Sequence, residues 1–487
     1  LPVDIDNIDR IEILKGPAAR IFGQNAFAGA INIITKSPEN QFLKVRAQGG
    51  DFGLGGFGLS GSLRDQQVSH YLSASHDFSD GYQYNTAYQM SNFFYQSEVR
   101  TSVGELGILG GFTDRDFGAN GFYASPAFQD QVEHIQTSLM AVSLQTKPAE
   151  NISLSHRVYW RRNQDEYIFN WKNPTAYRNL HISNVVGYEA NTTWTHSAGT
   201  TGLGIDVNQL GLRSNNLGDH TRTVATLFAE HRLEAFHHRL QVTPGVQLNY
   251  YSDFGTNLFP GVDAGYALTN VVRVFGNIGY TYRVPTYTDL YYSDPANVGN
   301  PDLLPEYALA YEAGIKVVNI QSVQLQASYF LRNGKRIIDW TKDVESDPWK
   351  PDNLIGVTMQ GLDFSFDWSP VDFPVHLNGG YTYIDSEKQG EQVYSRYALE
   401  NLKHQVLAGI LIRYSKSILH QINFRYCDRL NLPDYTVVDT RLTWQGKTIS
   451  TFADVTNIFD TEYKETNLVT MPGRWFKLGV SYRFEQD

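Results

Sequence analysis

The chain has 487 residues, 13% of them aromatic, with 41 glycines, one cysteine and a formal net charge of −11. The acidic balance argues against a nucleic-acid partner, Cys427 alone cannot form an internal disulfide, and no apolar run approaches the ~20 residues that a spanning helix needs. What survives is a soluble multidomain protein or a transmembrane β-barrel, whose segments of about 10 residues alternate lipid-facing and lumen-facing side chains.

The first element is an alternating strand, Ile8-Asp9-Arg10-Ile11-Glu12-Ile13-Leu14, which runs into the turn pair Gly16-Pro17. A stretch of small residues with Gly23 and Gly29 follows, then a second apolar strand, Ala30-Ile31-Asn32-Ile33-Ile34. Two strands of this length cannot hold a core of their own, so the unit must pack inside or against something larger.

Beyond it, period-two alternation recurs. Ile152, Leu154, Val158 and Trp160 oppose Ser153, Ser155, Arg157 and Tyr159, with His156 a polar intruder on the apolar side. Val323–Tyr329 alternates in the same way, and near the end Phe476, Leu478, Val480, Tyr482 and Phe484 share one face. A soluble sandwich alternates too, so connection lengths decide. Ten short turns, from Arg64-Asp65-Gln66-Gln67 to Gln445-Gly446-Lys447, separate longer polar connections: 114–131, 163–184, 282–305, 333–353 and 385–403. Short turns on one side and long loops on the other are the outer-membrane barrel arrangement. The fold read from the chain is all-β: a 22-stranded antiparallel transmembrane barrel over residues 41–487, with residues 1–40 in its lumen. Trp194, Trp368 and Trp444 fall at strand ends beside short turns, where interfacial girdle residues belong.

Three stretches resemble the TonB-dependent outer-membrane receptors. Arg10-Ile11-Glu12, Lys15-Gly16-Pro17, Phe22-Gly23 and Ala30–Lys36 resemble the end of that family's plug domain, departing at Phe22, usually Tyr, and at Ala28-Gly29-Ala30, usually GGV. Tyr282-Arg283-Val284-Pro285 with Gly299-Asn300-Pro301-Asp302-Leu303 and Pro305-Glu306 resembles its "FRAP … GNPxLxPE" segment. Thr451–Asp460 and Arg474-Trp475-Phe476 resemble its last two strands. The resemblance implies active uptake of a scarce, bulky nutrient, a ferric siderophore or cobalamin, by a monomer in the bacterial outer membrane, with lipid around it. It also implies a TonB–ExbB–ExbD energy-transducing complex as partner, contacted through an N-terminal plug segment that this chain lacks, so residues 1–40 read as the C-terminal remnant of a plug. A passive porin or channel is the alternative, although it would not carry the plug motif. Haem is disfavoured, because residues 286–299 contain no histidine.

No GxSxG, HExxH, CxxC or P-loop motif occurs, so no enzyme is expected. In the Pro-bounded loop, Tyr287, Tyr291 and Tyr292 are candidate ligand-binding residues, with Trp171 and Tyr177 as further vestibule aromatics. Asp77 and Asp80 offer hard oxygen ligands suited to calcium in an extracellular loop, against a plain Asp-Gly turn; no other cofactor is expected. Alternation puts Glu312 and Asp363 in the lumen, where buried carboxylates need a cation. Arg10 is the expected partner, in a plug–barrel charge cluster of the kind the resemblance implies.

Overall fold

Residues 2–15, 29–36, 41–123, 125–320, 322–389, 394–396, 402–465 and 469–485 are described by the computed structural model of the chain. The Gly16-Pro17 turn and the Phe22-Gly23 step lie outside the described residues.

Strands β1 (Ile8–Lys15) and β2 (Gly29–Thr35) form an antiparallel hairpin in which Ile11 faces Ile33 and Ile13 faces Ile31. The barrel starts at β3 (Phe42–Gly50), followed by β4 (Gly55–Arg64), β5 (Val68–Ser79), β6 (Tyr88–Arg100) and β7 (Glu105–Gly118). It closes when the last strand, Trp475–Glu485, pairs back onto β3 from Lys477↔Gly50 to Glu485↔Phe42. The result is a closed antiparallel barrel of 22 strands. Closure matters because an open edge in hydrocarbon leaves backbone groups unsatisfied, each costing several kcal/mol.

The short connections gather on one rim, as between Arg64 and Val68, Ala149 and Ile152, or His196 and Gly199. On the other rim the strands run further than the sequence suggests. Ile152–Ile168 and Arg178–His196 stay paired to their tips, leaving only 169–177 as loop, and Val323–Lys342 with Lys350–Trp368 leaves only 343–349. A strand needs about 9–11 residues to cross the bilayer; the surplus stands above it as polar hairpins, where both faces meet water and alternation fades.

On the lipid-facing surface, polar rings recur as cross-strand pairs. His156 Nδ1 lies 2.9 Å from the Tyr188 hydroxyl, across adjacent strands on the outer face. The same His–Tyr contact recurs at His70–Tyr95 (3.0 Å), His404–Tyr381 (2.9 Å) and His420–Tyr414 (3.1 Å). Each meets the need of a polar ring near hydrocarbon for a hydrogen-bond partner.

Among the described residues, the hairpin touches inward-facing side chains along β3–β7. Pro2 packs where a Cβ on Gly111 would stand, and Thr35 donates to Gln96 at 2.8 Å. The hairpin therefore sits in the lumen against one wall.

Candidate functional site

Two places concentrate chemistry: the contact between hairpin and barrel, and the loops above the lumen.

At the first, the segment before β1 turns through a single 3-10 turn, Ile5–Asn7, capped by Asp4, whose carboxylate accepts from the Asp6 N–H at 2.9 Å. That turn presents Asp4 and Asp6 to one barrel arginine. Arg46 on β3 reaches Asp4 (Nη2–Oδ2 3.0 Å), Asp6 (Nε–Oδ2 3.2 Å) and the barrel's own Asp77 (Nη2–Oδ2 3.1 Å). Ser75 donates to Asp4 at 2.5 Å and Gln48 to Asp77 at 2.7 Å. One turn residue on, buried Asn7 accepts from the Tyr71 hydroxyl at 2.7 Å. Lys44 stands 3.7 Å from Asp6. Two barrel cations thus face three carboxylates, and the planar guanidinium can bridge all three because it offers five donors in fixed directions.

The expected cluster of Arg10, Glu312 and Asp363 is not assembled. Arg10 pairs within β1, with Asp9 at 2.9 Å and Glu12 at 2.8 Å, and its side chain is 58% exposed, against 19% for Arg46. Glu312 and Asp363 do face the lumen, but Glu312 accepts from Asn277 (2.9 Å) and Asp363 from Thr382 (2.9 Å). Among the described residues the polarity of the charge cluster is the reverse of expectation: the segment before β1 supplies carboxylates and the barrel the arginine. Asp77 belongs to this cluster, both its oxygens engaged by Gln48 and Arg46, while Asp80 lies past the end of β5 with its carboxylate beneath Gly53. Among the described residues, carboxylate and imidazole atoms at metal-ligand spacing occur instead at Asp114, Asp116 and His134.

Above the lumen, the segment after Arg283 forms a single helical turn, Tyr287–Tyr291, with a capping box between Thr286 and Asp289. Asp289 also accepts from Trp340 Nε1 at 3.2 Å and lies 3.5 Å from Arg283, which is ion-paired to buried Glu306. Arg222 binds Asp253 at 2.8 Å and donates to the Pro285 carbonyl at 3.2 Å. This scaffold builds a stack: Arg222 over Tyr287 (4.9 Å), Tyr287 on His220 (5.0 Å), and His220 on Tyr291 (4.1 Å). Tyr292 turns the other way, its hydroxyl 3.3 Å from that of Tyr177; burial and the tyrosine neighbour push its ionisation well above the usual range. The structure thus brings Tyr287 and Tyr291 together, gives Tyr292 to a second cluster with Tyr177, and leaves Trp171 apart, beside Lys172 and Tyr84. His220 was not legible as a partner, because it lies far away in sequence, at the start of the strand His220–Ala235.

A further cavity of about 580 Å³ opens beside the vestibule, lined by Tyr88, Met90, Arg115, Phe117, Tyr123 and Met471 among others. It was not read from the sequence, since its walls come from separate hairpins and the 457–474 connection.

A family model described as TonB dependent receptor-like, beta-barrel, matches residues 37–458. The chain belongs to the TonB-dependent receptor family. This receptor is 23% identical over 516 residues to the vitamin B12 transporter BtuB of Photobacterium profundum, covering 99% of this chain and 80% of that protein. It is 22% identical over 544 residues to an iron-regulated outer membrane virulence protein of Vibrio cholerae serotype O1, covering 98% of this chain and 80% of that protein. Its fold matches the siderophore receptor PirA from Pseudomonas aeruginosa with a TM-score of 0.79 at 16% identity, over 99% of this chain and 88% of that one. The copper transporter OprC superposes with a TM-score of 0.83 at 13% identity, over 99% and 86%. The family and the closed barrel place the receptor in the bacterial outer membrane.

Proposed function

We propose that this receptor captures a ferric siderophore or cobalamin at its outer loops and admits it past a lumenal plug, of which the β1–β2 hairpin is a part, when the TonB complex supplies the energy. The observation that carries the reading is the combination of a preorganised aromatic platform above the lumen with a latched hairpin below it. A passive porin needs neither. The Tyr287–His220–Tyr291 stack, braced from behind by the ion-paired Arg222, offers flat π surface suited to a bulky, planar chelate. Tyr287 and Tyr291 act as the contact residues in this reading, and Tyr292 holds the loop through Tyr177. The Arg46 cluster takes the part expected of Arg10, holding the hairpin until a pull breaks it.

The test is direct binding to the purified protein in detergent, titrating cyanocobalamin and, separately, ferric catecholate and hydroxamate siderophores. One ligand class is expected to bind, with affinity falling about tenfold or more in Tyr287→Ala/Tyr291→Ala, as for loss of two aromatic contacts. Binding of none of them, or binding unchanged in the double variant, overturns the assignment.

A further inference from the structure

We propose that the outer wall of the barrel carries a seat for one phospholipid of the periplasmic leaflet: an apolar groove for an acyl chain, ending at a histidine poised to donate to the phosphate.

The groove, of about 520 Å³, crosses the outer faces of the strands Arg178–His196, Gly199–Ser214, His220–Ala235, Leu240–Tyr251 and Gly255–Ala267. Strand register sets its lipid-facing rows in step: Ala190–Ile205–Leu227, then Thr192–Leu203–Ala229, then Trp194–Thr201–His231. Small side chains at Ala190, Thr192 and Ala229 make the floor, and exposed Leu203, Leu227 and Leu258 make the walls. A groove that opens into hydrocarbon can hold only hydrocarbon.

Its lower end is polar. Six residues separate Gly199, in the short turn, from Ile205, or about 15 Å once the strands are tilted. The floor therefore lies in the periplasmic half of the apolar band, and Trp194, Thr201 and His231 lie at headgroup depth. There the His196 and His231 rings stack at 5.4 Å, and Trp194 covers His196 at 4.3 Å. The hydrogen bonds run in one direction. The Ala198 N–H donates to His196 Nδ1 (3.3 Å), so the His196 proton sits on Nε2 and is donated to the Thr201 hydroxyl (3.0 Å). Thr201 then donates to His231 Nδ1 (2.9 Å), which puts the His231 proton on Nε2. No described residue accepts from that N–H. The sequence of donors therefore ends in one unused donor directly below a groove shaped for a chain, as a phosphodiester with its acyl chain requires.

A second outward groove, of about 540 Å³, serves as an internal control. It lies against Leu442, Ala453, Leu478 and Trp444, and its neighbouring cluster is closed. The Tyr414 hydroxyl meets His420 Nδ1 (3.1 Å), His420 Nε2 meets Thr440 (2.7 Å), and Thr440 donates to the Gln421 carbonyl (3.2 Å). Within the Tyr414–His420–Thr440 relay no donor is left over, and each groove has its interfacial tryptophan, Trp194 or Trp444, so the second groove should hold chains without the histidine donor that selects a phosphate.

The experiment is native mass spectrometry of the purified receptor after equilibration with mixed micelles of phosphatidylethanolamine, counting retained lipid. Heat-modifiable migration reports folding. The wild type should retain one phosphatidylethanolamine. Ala229→Trp, which fills the groove, and His231→Phe, which keeps the ring but removes the donor, should each lower retention about tenfold, the worth of some two methylenes or one strong hydrogen bond. Ala453→Trp, in the second groove, should leave it unchanged. Retention insensitive to both Ala229→Trp and His231→Phe overturns the proposal, as does equal loss in Ala453→Trp or retention of lipopolysaccharide in place of phospholipid.

Discussion

Arg46 is the residue on which the lumen's electrostatics turn, because one guanidinium balances carboxylates from the hairpin and the wall together. Removing it strands Asp4 and Asp77 in a half-buried site. Arg46→Ala should cost about 2–4 kcal/mol of hairpin docking, between the values of exposed and buried pairs. Hydrogen exchange would read this as protection of the amides of residues 4–7 falling by about one and a half to three orders of magnitude, at about 1.4 kcal/mol per tenfold. Arg10→Ala removes only an exposed pair within one strand and should leave that protection essentially unchanged. Equal effects of the two would contradict the assignment of the latch to Arg46. At this scale the sequence was half legible. Alternation turned Glu312 and Asp363 inward, and among the described residues they accept from neighbouring barrel side chains, Asn277 and Thr382, rather than from Arg10. Which hairpin residue meets which wall depends on the angle of docking, and no residue spacing encodes that.

The Pro-bounded segment 284–305 behaves as one preorganised element. Its helical turn is far too short to be stable alone, so its shape rests on the Thr286–Asp289 box, the Arg283–Glu306 pair and a close crossing at Gly299. A Cβ there would lie 2.8 Å from the Leu290 backbone carbonyl carbon and oxygen, and the Gly299 N–H donates to the Tyr292 carbonyl at 2.7 Å. Gly299→Ala should therefore displace the turn and weaken ligand binding at least several-fold while the barrel still assembles. Thr286→Ala, which removes the cap alone, should cost about 1 kcal/mol of local order. Titration of ligand against each folded variant checks both. Prolines, glycine and tyrosines made this element legible as a structured loop. The height of the hairpins was not legible, because beyond the membrane the lipid no longer demands one apolar face, and paired strand there looks like loop.

For the whole molecule, assembly depends on the final strand closing against β3, from Lys477↔Gly50 to Glu485↔Phe42. Val480→Pro deletes a backbone donor within that strand, whose two neighbours occupy both sides. The folded, heat-modifiable species should be lost. Leu362→Arg, on the lipid face, should destabilise the barrel by about 2–4 kcal/mol if it lies near the bilayer midplane. Asp363→Asn, one residue on but in the lumen, should cost much less, and denaturant titration of the two separates the faces. Strand count and closure were legible because lipid imposes period two on every crossing. The reach of the hairpin was not, since a lumen accepts a plug at many heights.

The one-sided docking of the hairpin has a mechanical meaning. Among the described residues, every contact noted between hairpin and barrel falls on four strands within the run β3–β7: at Lys44 and Arg46, Tyr71 and Ser75, Gln96, and Gly111. A body glued along one side comes away differently from one gripped all round. Tension from the periplasm would load the bonds at one end first and open them in turn, as tape lifts from a surface, so the peak force stays near that of the strongest single bond. The same bonds loaded in parallel would have to fail together. Such a seam resists thermal escape through the sum of its contacts yet yields to a modest, directed pull.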